Sequence, residues 1–188
     1  MDGDYPAVTG ETLLHQGRFI VFKSLDWVDG YGVSRQWESA DRPGEGGAVL
    51  IVARLLRSRR VVLIRQYRPP AKCYVYEFPA GLVDAGETGE AAAARELREE
   101  TGYVARRLEM HPRAFTSPGL SNENVHMVLA EVDEDGEENR ELRTEFDSSE
   151  MIETVLVGEG DLIDFYRRES AAGNAFDAKL AAYIMARM

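Results

Sequence analysis

The chain has 188 residues, 44% of them apolar, and a formal net charge of -11. This length and composition suit one domain with a real hydrophobic core, and the acid excess disfavours binding to a nucleic-acid backbone. No apolar run is long enough to predict a transmembrane helix, and the acidic, polar N-terminus is unlike a secretory signal. We therefore expect a cytoplasmic globular protein that binds neither nucleic acid nor membranes.

The first half of the chain is typical of strands separated by turns. Asp29-Gly30 is a turn pair between two alternating segments, so a β-hairpin is predicted there. Two runs rich in β-branched residues predict central strands, and a shorter strand follows them. The predicted strands cover residues 18–28, 31–42, 46–56, 61–68 and 73–81.

A helix is predicted from about Gly89 to Thr101, because the alanines in this stretch are strong helix formers. Gly102 stands where a helix takes a left-handed cap. The residues expected to point inward from this helix are Ala93, Ala94, Leu97 and Thr101.

The second half predicts further strands and then two amphipathic helices. Residues 132–142 are strongly acidic and predict a solvated loop. Many strands, one central helix and helices at the end indicate the α+β class. The predicted strands are 106–115, 124–132 and 150–157, and the predicted helices are 161–170 and 176–188.

Residues 81–103 gather five glutamates around Arg95, with no lysine among them. Helical spacing places Glu96, Glu99 and Glu100 on one face. Such a concentration of negative charge is costly unless a cation neutralises it, and hard divalent cations prefer oxygen ligands. The cluster therefore predicts a Mg²⁺ site, with Mn²⁺ as the alternative. A solvated acidic helix start would explain acids near the N-terminus of the helix but not near its C-terminal end.

The same residues resemble the signature of the Nudix hydrolases: G, five residues, E, seven residues, then R-E-aliphatic-x-E-E-x-G and a final apolar residue. Tyr103 is the one departure, since an aliphatic residue is usual at that position. The resemblance implies the Nudix α/β/α sandwich and a metal-dependent hydrolase. The matching positions are Gly81, Glu87, Arg95, Glu96, Leu97, Glu99, Glu100 and Gly102.

Three further stretches resemble the dimeric type of ADP-ribose pyrophosphatase. Pro118 lies sixteen positions after Gly102, an offset that is typical of this branch; its alternative role is a rigid turn between strands. Residues 65–81 and 17–42 resemble the corresponding segments of those enzymes.

The resemblance also implies how the chain is organised. Residues 1–45 would be an N-terminal β extension that serves dimerisation and base binding, and residues 46–188 would be the Nudix hydrolase domain. A homodimer is therefore expected.

Metal ligands carried over from the family are Glu96, Glu99, Glu100 and the backbone carbonyl of Ala80. Arg95 would orient Glu99 through an ion pair at i, i+4. Glu99 and Arg95 are accordingly candidate catalytic residues as well.

The general base in ADP-ribose pyrophosphatases lies on a loop ahead of a late strand. Glu150 matches this position best, and Glu145 and Glu153 are the alternatives.

Substrate-binding positions also carry over from the resemblance. In relatives the adenine stacks between two aromatic rings, one from each subunit, and here these match Phe19 and Trp37; residues of this kind otherwise pack the core of a hairpin. Glu38 matches a contact to the adenine edge, and two arginines match phosphate or ribose contacts. The full candidate set is Phe19, Trp37, Glu38, Arg42, Arg68, Leu82 and Pro118.

The resemblance implies hydrolysis of ADP-ribose to AMP and ribose 5-phosphate. A broader nucleoside diphosphate sugar hydrolase and a non-catalytic ADP-ribose sensor are the alternatives. The signature does not separate the possible nucleoside diphosphate substrates.

Overall fold

The computed structural model describes residues 6–44, 47–146 and 151–188, which divide into two compact units. The first unit comprises the described residues up to Gly47 together with Arg113–Val125, and the second comprises Ala48–Pro112 and the described residues from His126 onward. Within these ranges, no helix is both long and apolar enough to cross a membrane.

The first unit is built on an antiparallel sheet of β1 (Ala7–Gln16), β2 (Val21–Val28) and β3 (Ser34–Asp41). β2 and β3 form the predicted hairpin, in which Leu25 lies opposite Trp37. β1 was not predicted. Its side chains are mostly exposed, so it lacks the alternating apolar pattern that a half-buried strand shows.

The turn of this hairpin is closed by Asp29, as the sequence predicted. Its carboxylate accepts hydrogen bonds from the backbone N–H groups of Tyr31 and Val33, at 2.9 and 3.0 Å. The bond from Val33 is the main reason that the pKa of Asp29 lies below its usual value. The ends of the two strands are thereby held in register.

The second unit contains most residues of a mixed sheet; the ends of two of the strands, 113–115 and 124–125, belong to the first unit. Its described strands are β4 (Ala48–Leu55), β5 (Arg60–Arg68), β6 (Cys73–Glu77), β7 (Ala80–Leu82), β8 (Arg107–Phe115), β9 (Asn124–Val132), β10 (Ile152–Gly158) and β11 (Ala175–Phe176). They run in the order β11-β6-β5-β4-β9-β8, with β10 paired to β5 and β7 paired to β4. The predicted strand over 73–81 is thus two strands, β6 and β7, interrupted at Pro79, which has no N–H to donate.

Helix α1 (Gly89–Thr101) spans the predicted residues and packs on the apolar face of β4 and β9. Ala92, Ala93 and Leu97 are fully buried in this core. The expectation that Ala94 points inward was wrong, because Ala94 is exposed and Ala92 is buried instead. One residue turns the helix by about 100°, which carries Ala94 away from the core.

Helices α2 (Leu162–Ala171) and α3 (Ala178–Met185) complete the second unit. Leu162, Leu180 and Ile184 are fully buried, and the ring of Phe165 packs edge-on against Tyr76 of β6 with centroids 4.9 Å apart. Strands and helices together form the predicted α+β sandwich.

The acidic segment 132–142 is more structured than expected. It contains a 3₁₀ turn, Glu137–Asn139, whose last residue is buried. The Asn139 side chain donates to the carbonyls of Val104 and Asp133 and accepts from the N–H of Val104. The side-chain amide of Asn139 thus forms hydrogen bonds with three backbone groups and anchors the segment. The pattern of charges in the sequence does not predict these bonds.

Candidate functional site

Both ends of α1 are defined by local hydrogen bonds. The Thr88 hydroxyl accepts from the N–H of Ala91 at 3.2 Å, which caps the first turn. At the other end Gly102 has a φ of 76°, and its N–H donates to the carbonyl of Arg98 at 2.8 Å. Between these caps, helical spacing places Glu96 and Glu100, one turn apart, on the same face.

The Arg95 guanidinium gathers the acids of the cluster. Its Nε and Nη2 donate to the two carboxylate oxygens of Glu87 at 3.0 and 2.9 Å. Its Nη1 donates to Glu96 at 2.7 Å and to Glu99 at 3.0 Å, and Nη2 also donates to the carbonyl of Leu82. The ion pair expected with Glu99 is present, but Arg95 also joins the loop residue Glu87 to the helix.

These hydrogen bonds shift the pKa values of the partners in opposite directions. The bonds from Arg95 are the largest reason that the pKa of Glu87 lies below its usual value. Glu87 in turn makes the largest contribution to raising the pKa of Arg95. Both groups are therefore charged throughout the physiological pH range.

Glu100 and Glu96 lie against β7. Glu100 is only 5% exposed, and its carboxylate accepts from the N–H of Ala80 at 3.0 Å. The Glu96 carboxylate occupies the space beside Gly81, where a β-carbon would come within 1.9–2.3 Å of its atoms. A side chain at position 81 would therefore displace the Glu96 carboxylate from its place beside β7.

The chemistry of this donor set fits a hard divalent cation, since the carboxylates of Glu96, Glu99 and Glu100 lie on one helix and hard cations prefer oxygen ligands. Within residues 6–44, 47–146 and 151–188, however, no three acidic, histidine or cysteine side chains are arranged as metal ligands. Arg95 holds one carboxylate oxygen of Glu96 and one of Glu99 through Nη1.

Arg68, a predicted substrate contact, is held by Glu77. Its Nε and Nη2 each donate to one carboxylate oxygen of Glu77 at 2.7 Å. This pairing is the largest cause of the raised pKa of Arg68, to which the negative charge of Glu100 also contributes. Leu82, the other candidate of this unit, has an exposed side chain, and its carbonyl accepts from Arg95.

In the first unit, the two aromatic candidates are both exposed. The Trp37 indole N–H donates to the carbonyl of Gly119 at 3.1 Å, and the side chain is half-exposed. Phe19 lies in the turn between β1 and β2 with the Arg18 guanidinium 4.8 Å from its ring centroid. Neither ring packs in a core. Glu38 is exposed as well, on the face of β3 opposite to Trp37.

The remaining candidates of the first unit are Pro118, which lies in the turn between β8 and β9, and Arg42, which is bonded to residues that follow this turn. Arg42 donates through its backbone N–H to Asn122 at 3.1 Å and through Nε to Glu123 at 2.8 Å. Pro118 and Trp37 both line a cavity of about 390 Å³. The hairpin and the turn around Pro118 are therefore joined by hydrogen bonds at Trp37 and at Arg42.

The position of the predicted base, Glu150, lies outside the described residues. Of its alternatives, Glu145 pairs with Arg98 at 3.1 Å, and its N–H donates to the carbonyl of Glu99. Glu153 lies on β10 and pairs with Arg65 at 3.2 Å. Both side chains already have a cationic partner.

The sequence did not single out Glu77 as a site residue, and it gave Glu87 no role beyond its place in the signature. Glu87 contacts Arg95 because of the path of a loop, and Glu77 contacts Arg68 because of strand register. Neither contact produces a periodic pattern in the sequence, so neither could be predicted from it.

The substitution Arg95→Met removes the shared cation and keeps the aliphatic stem. We expect the free energy of unfolding at pH 7 to fall by about 1–3 kcal/mol, the scale of lost charge-assisted hydrogen bonds. Because Arg95 lowers the pKa of Glu87 below 4.5, this stabilisation is complete above pH 4.5 and is lost as the pH falls through the lower folded pKa. Denaturant unfolding at pH 7 and pH 3.5 measures the difference.

Arg98→Met is the matched control for this experiment, since Arg98 is on the same helix and its pair with Glu145 is exposed. It should change the free energy of unfolding by less than about 1 kcal/mol. A loss for Arg95→Met that is as large at pH 3.5 as at pH 7 would contradict the electrostatic role of Arg95.

Comparison with known proteins identifies the family. Residues 45–169 match the NUDIX domain. ADP-sugar pyrophosphatase of Mus musculus is 34% identical over 187 residues, covering 95% of this chain and 86% of the mouse protein. ADP-ribose pyrophosphatase of Bacillus subtilis is 36% identical over 135 residues, covering 72% and 68%. A crystal structure of an ADP compounds hydrolase aligns with a TM-score of 0.70 and 26% identity, over 86% of this chain and 83% of the other. Three of the signature glutamates, Glu96, Glu99 and Glu100, lie on α1, and Glu87 lies in the loop before it. The chain therefore belongs to the Nudix family.

Proposed function

We propose that the chain hydrolyses the diphosphate bond of ADP-ribose, giving AMP and ribose 5-phosphate, with Mg²⁺ as the cofactor. The observation that carries the proposal is the complete signature, gathered around Arg95 and β7, in a chain that resembles ADP-sugar and ADP-ribose pyrophosphatases along most of its length. Mn²⁺ is the alternative metal.

Glu96, Glu99, Glu100 and the carbonyl of Ala80 are the residues that would hold the metal. When bound there, Mg²⁺ supplies positive charge that offsets the negative charge of the diphosphate. Glu100 is well suited to this task because it is buried and fixed to β7 by the N–H of Ala80. Arg95 keeps the remaining carboxylates close to one another.

Glu150 is our candidate for the base that removes a proton from the attacking water. A carboxylate that binds metal is a weak base, so a glutamate outside the signature is needed. Glu145 and Glu153 are the alternatives, and their ion pairs with Arg98 and Arg65 make them less available.

We assign binding of the adenine to Phe19 and Trp37 from two subunits of a homodimer, with residues 1–45 forming the dimerisation and base-binding extension. Phe19 lies beyond the end of β2, whereas Trp37 is four residues inside β3 from Asp41, or roughly 13 Å at 3.3 Å per residue. This separation along the sheet supports stacking on the base by one ring from each subunit. Glu38 and Arg42 are the polar contacts that we assign to the same end of the substrate.

An ADP-sugar hydrolase is the second candidate, favoured by the name of the mouse relative. Such an enzyme would cleave the same diphosphate bond with the same metal-binding and base residues. A sensor that binds ADP-ribose without cleaving it is the third, and the complete signature argues against it because such a sensor does not need metal-binding glutamates.

The test of the activity is release of AMP from ADP-ribose with Mg²⁺ present and then with a chelator. We expect turnover only with the metal, and Glu100→Gln should lower kcat at least about a hundredfold. Glu90→Gln, an exposed glutamate in the first turn of the same helix, is the control and should keep normal kcat. Near-normal turnover by Glu100→Gln at saturating Mg²⁺ would refute the metal assignment.

The homodimer has its own test. Most side chains of β1 are exposed, including Val8, Leu13 and Leu14, and so are Phe19 and Ile20 after it. Apolar surface of this kind favours cover by a second subunit. Light scattering at micromolar concentration should give twice the 21.0 kDa mass of one chain. A mass close to that of a single chain would exclude the two-subunit binding of adenine.

The substitution Trp37→Ala tests the stacking. It should raise KM for ADP-ribose about tenfold or more, because loss of one stacking face costs roughly 1–3 kcal/mol. The change in kcat should be smaller, since the base is remote from the reacting phosphorus. Steady-state kinetics with ADP-ribose, GDP-mannose and UDP-glucose measures both, and Tyr31→Ala, at an exposed aromatic in the same hairpin, is the control. If UDP-glucose equals ADP-ribose in kcat/KM, the aromatic assignment is wrong.

A further inference from the structure

Glu77 and Arg68 form a pair across two neighbouring strands of the second unit. In the register of β5 and β6, Glu77 lies opposite Ile64, and Arg68 lies opposite Cys73. Residues Ile64 and Arg68 share one face of β5, because side chains alternate along a strand. The Arg68 side chain therefore extends back along this face to reach Glu77, three residues before Ala80.

The geometry of the pair fixes the guanidinium plane. Both hydrogen bonds are 2.7 Å long and use Nε and Nη2, one each to the two oxygens of Glu77. A planar guanidinium held along one edge has a defined orientation, and its Nη1 hydrogens point away from the bound carboxylate. They match the oxygens of a phosphate group in spacing and charge.

The surroundings explain why Arg68 needs a fixed partner. The Arg68 side chain is 44% exposed, whereas that of Glu77 is 13% exposed. A long, exposed arginine side chain samples several orientations unless a partner holds it. A bidentate bond to Glu77, whose side chain is largely buried, holds the guanidinium in one orientation.

We propose that Glu77 is a positioning residue, which holds Arg68 with its Nη1 hydrogens directed at a phosphate group of the substrate. This inference rests on the proposed function, because it takes a nucleoside diphosphate derivative as the substrate. Glu77 itself touches neither the substrate nor the reacting atoms.

A purely structural clip between β5 and β6 is the competing explanation, and a double-mutant cycle separates the two. The variants are Glu77→Gln, Arg68→Met and the double variant, each assayed for KM and kcat with ADP-ribose and for Tm. We expect Glu77→Gln to raise KM about tenfold with kcat changed less than about threefold. Arg68→Met should raise KM at least as much, and the double variant should resemble Arg68→Met alone, because Glu77 acts only through Arg68.

Two further variants keep the test decisive. Glu77→Asp retains the charge but is too short to engage both nitrogens in the same way, so its KM should lie between those of the wild type and Glu77→Gln. Glu159→Gln is the matched control, because Glu159 binds Arg54 and Arg59 near the opposite end of β5. It should lower Tm without changing KM.

The outcomes are distinguishable. Unchanged KM in Glu77→Gln with a lowered Tm would overturn the positioning role and leave the clip. Additive increases in KM for the two single variants would overturn it as well. Absence of AMP release by the wild type refutes the proposed function and this inference together, whereas wild-type turnover with either of the first two results refutes the role of Glu77 alone.

Discussion

The candidate site of the second unit depends on one guanidinium. Four glutamates, Glu87, Glu96, Glu99 and Glu100, belong to a single cluster, and two like charges 4 Å apart repel by roughly 4 kcal/mol in a medium of intermediate polarity. Arg95 binds three of them, and Glu100 is held by the N–H of Ala80. The loop before α1, the helix and β7 are joined through these hydrogen bonds. Each of these acids thus has a hydrogen-bond donor, which offsets the repulsion among them.

A similar arrangement occurs where Glu77 binds Arg68. In both places an arginine uses Nε and Nη2 toward the two oxygens of one carboxylate. Arg95 also uses Nη1, which donates to Glu96 and Glu99. Two guanidinium groups of the second unit are therefore each held along one edge by an acid.

Much of this follows from the sequence where the causes are local. The limits of α1 were predicted because alanines and a capping glycine act within a few residues, and the shared face of Glu96 and Glu100 is a property of helical spacing. The contacts of Arg95 with Glu87 and of Arg68 with Glu77 were not predicted, since they depend on the path of a loop and on strand register. Strand β1 was missed because most of its side chains, including Leu13 and Leu14, are exposed and give no alternating pattern.

The bond between the Trp37 indole and the carbonyl of Gly119 has a consequence for conformational entropy. A half-exposed tryptophan without such a bond samples several rotamers, and fixing it on binding costs about 0.5–1.5 kcal/mol. Here the ring is fixed while the hairpin and the turn around Pro118 come together during folding. A planar ligand that stacked on Trp37 would therefore meet an ordered ring. The entropy of the side chain is lost when the protein folds, so it would not reduce the free energy of binding.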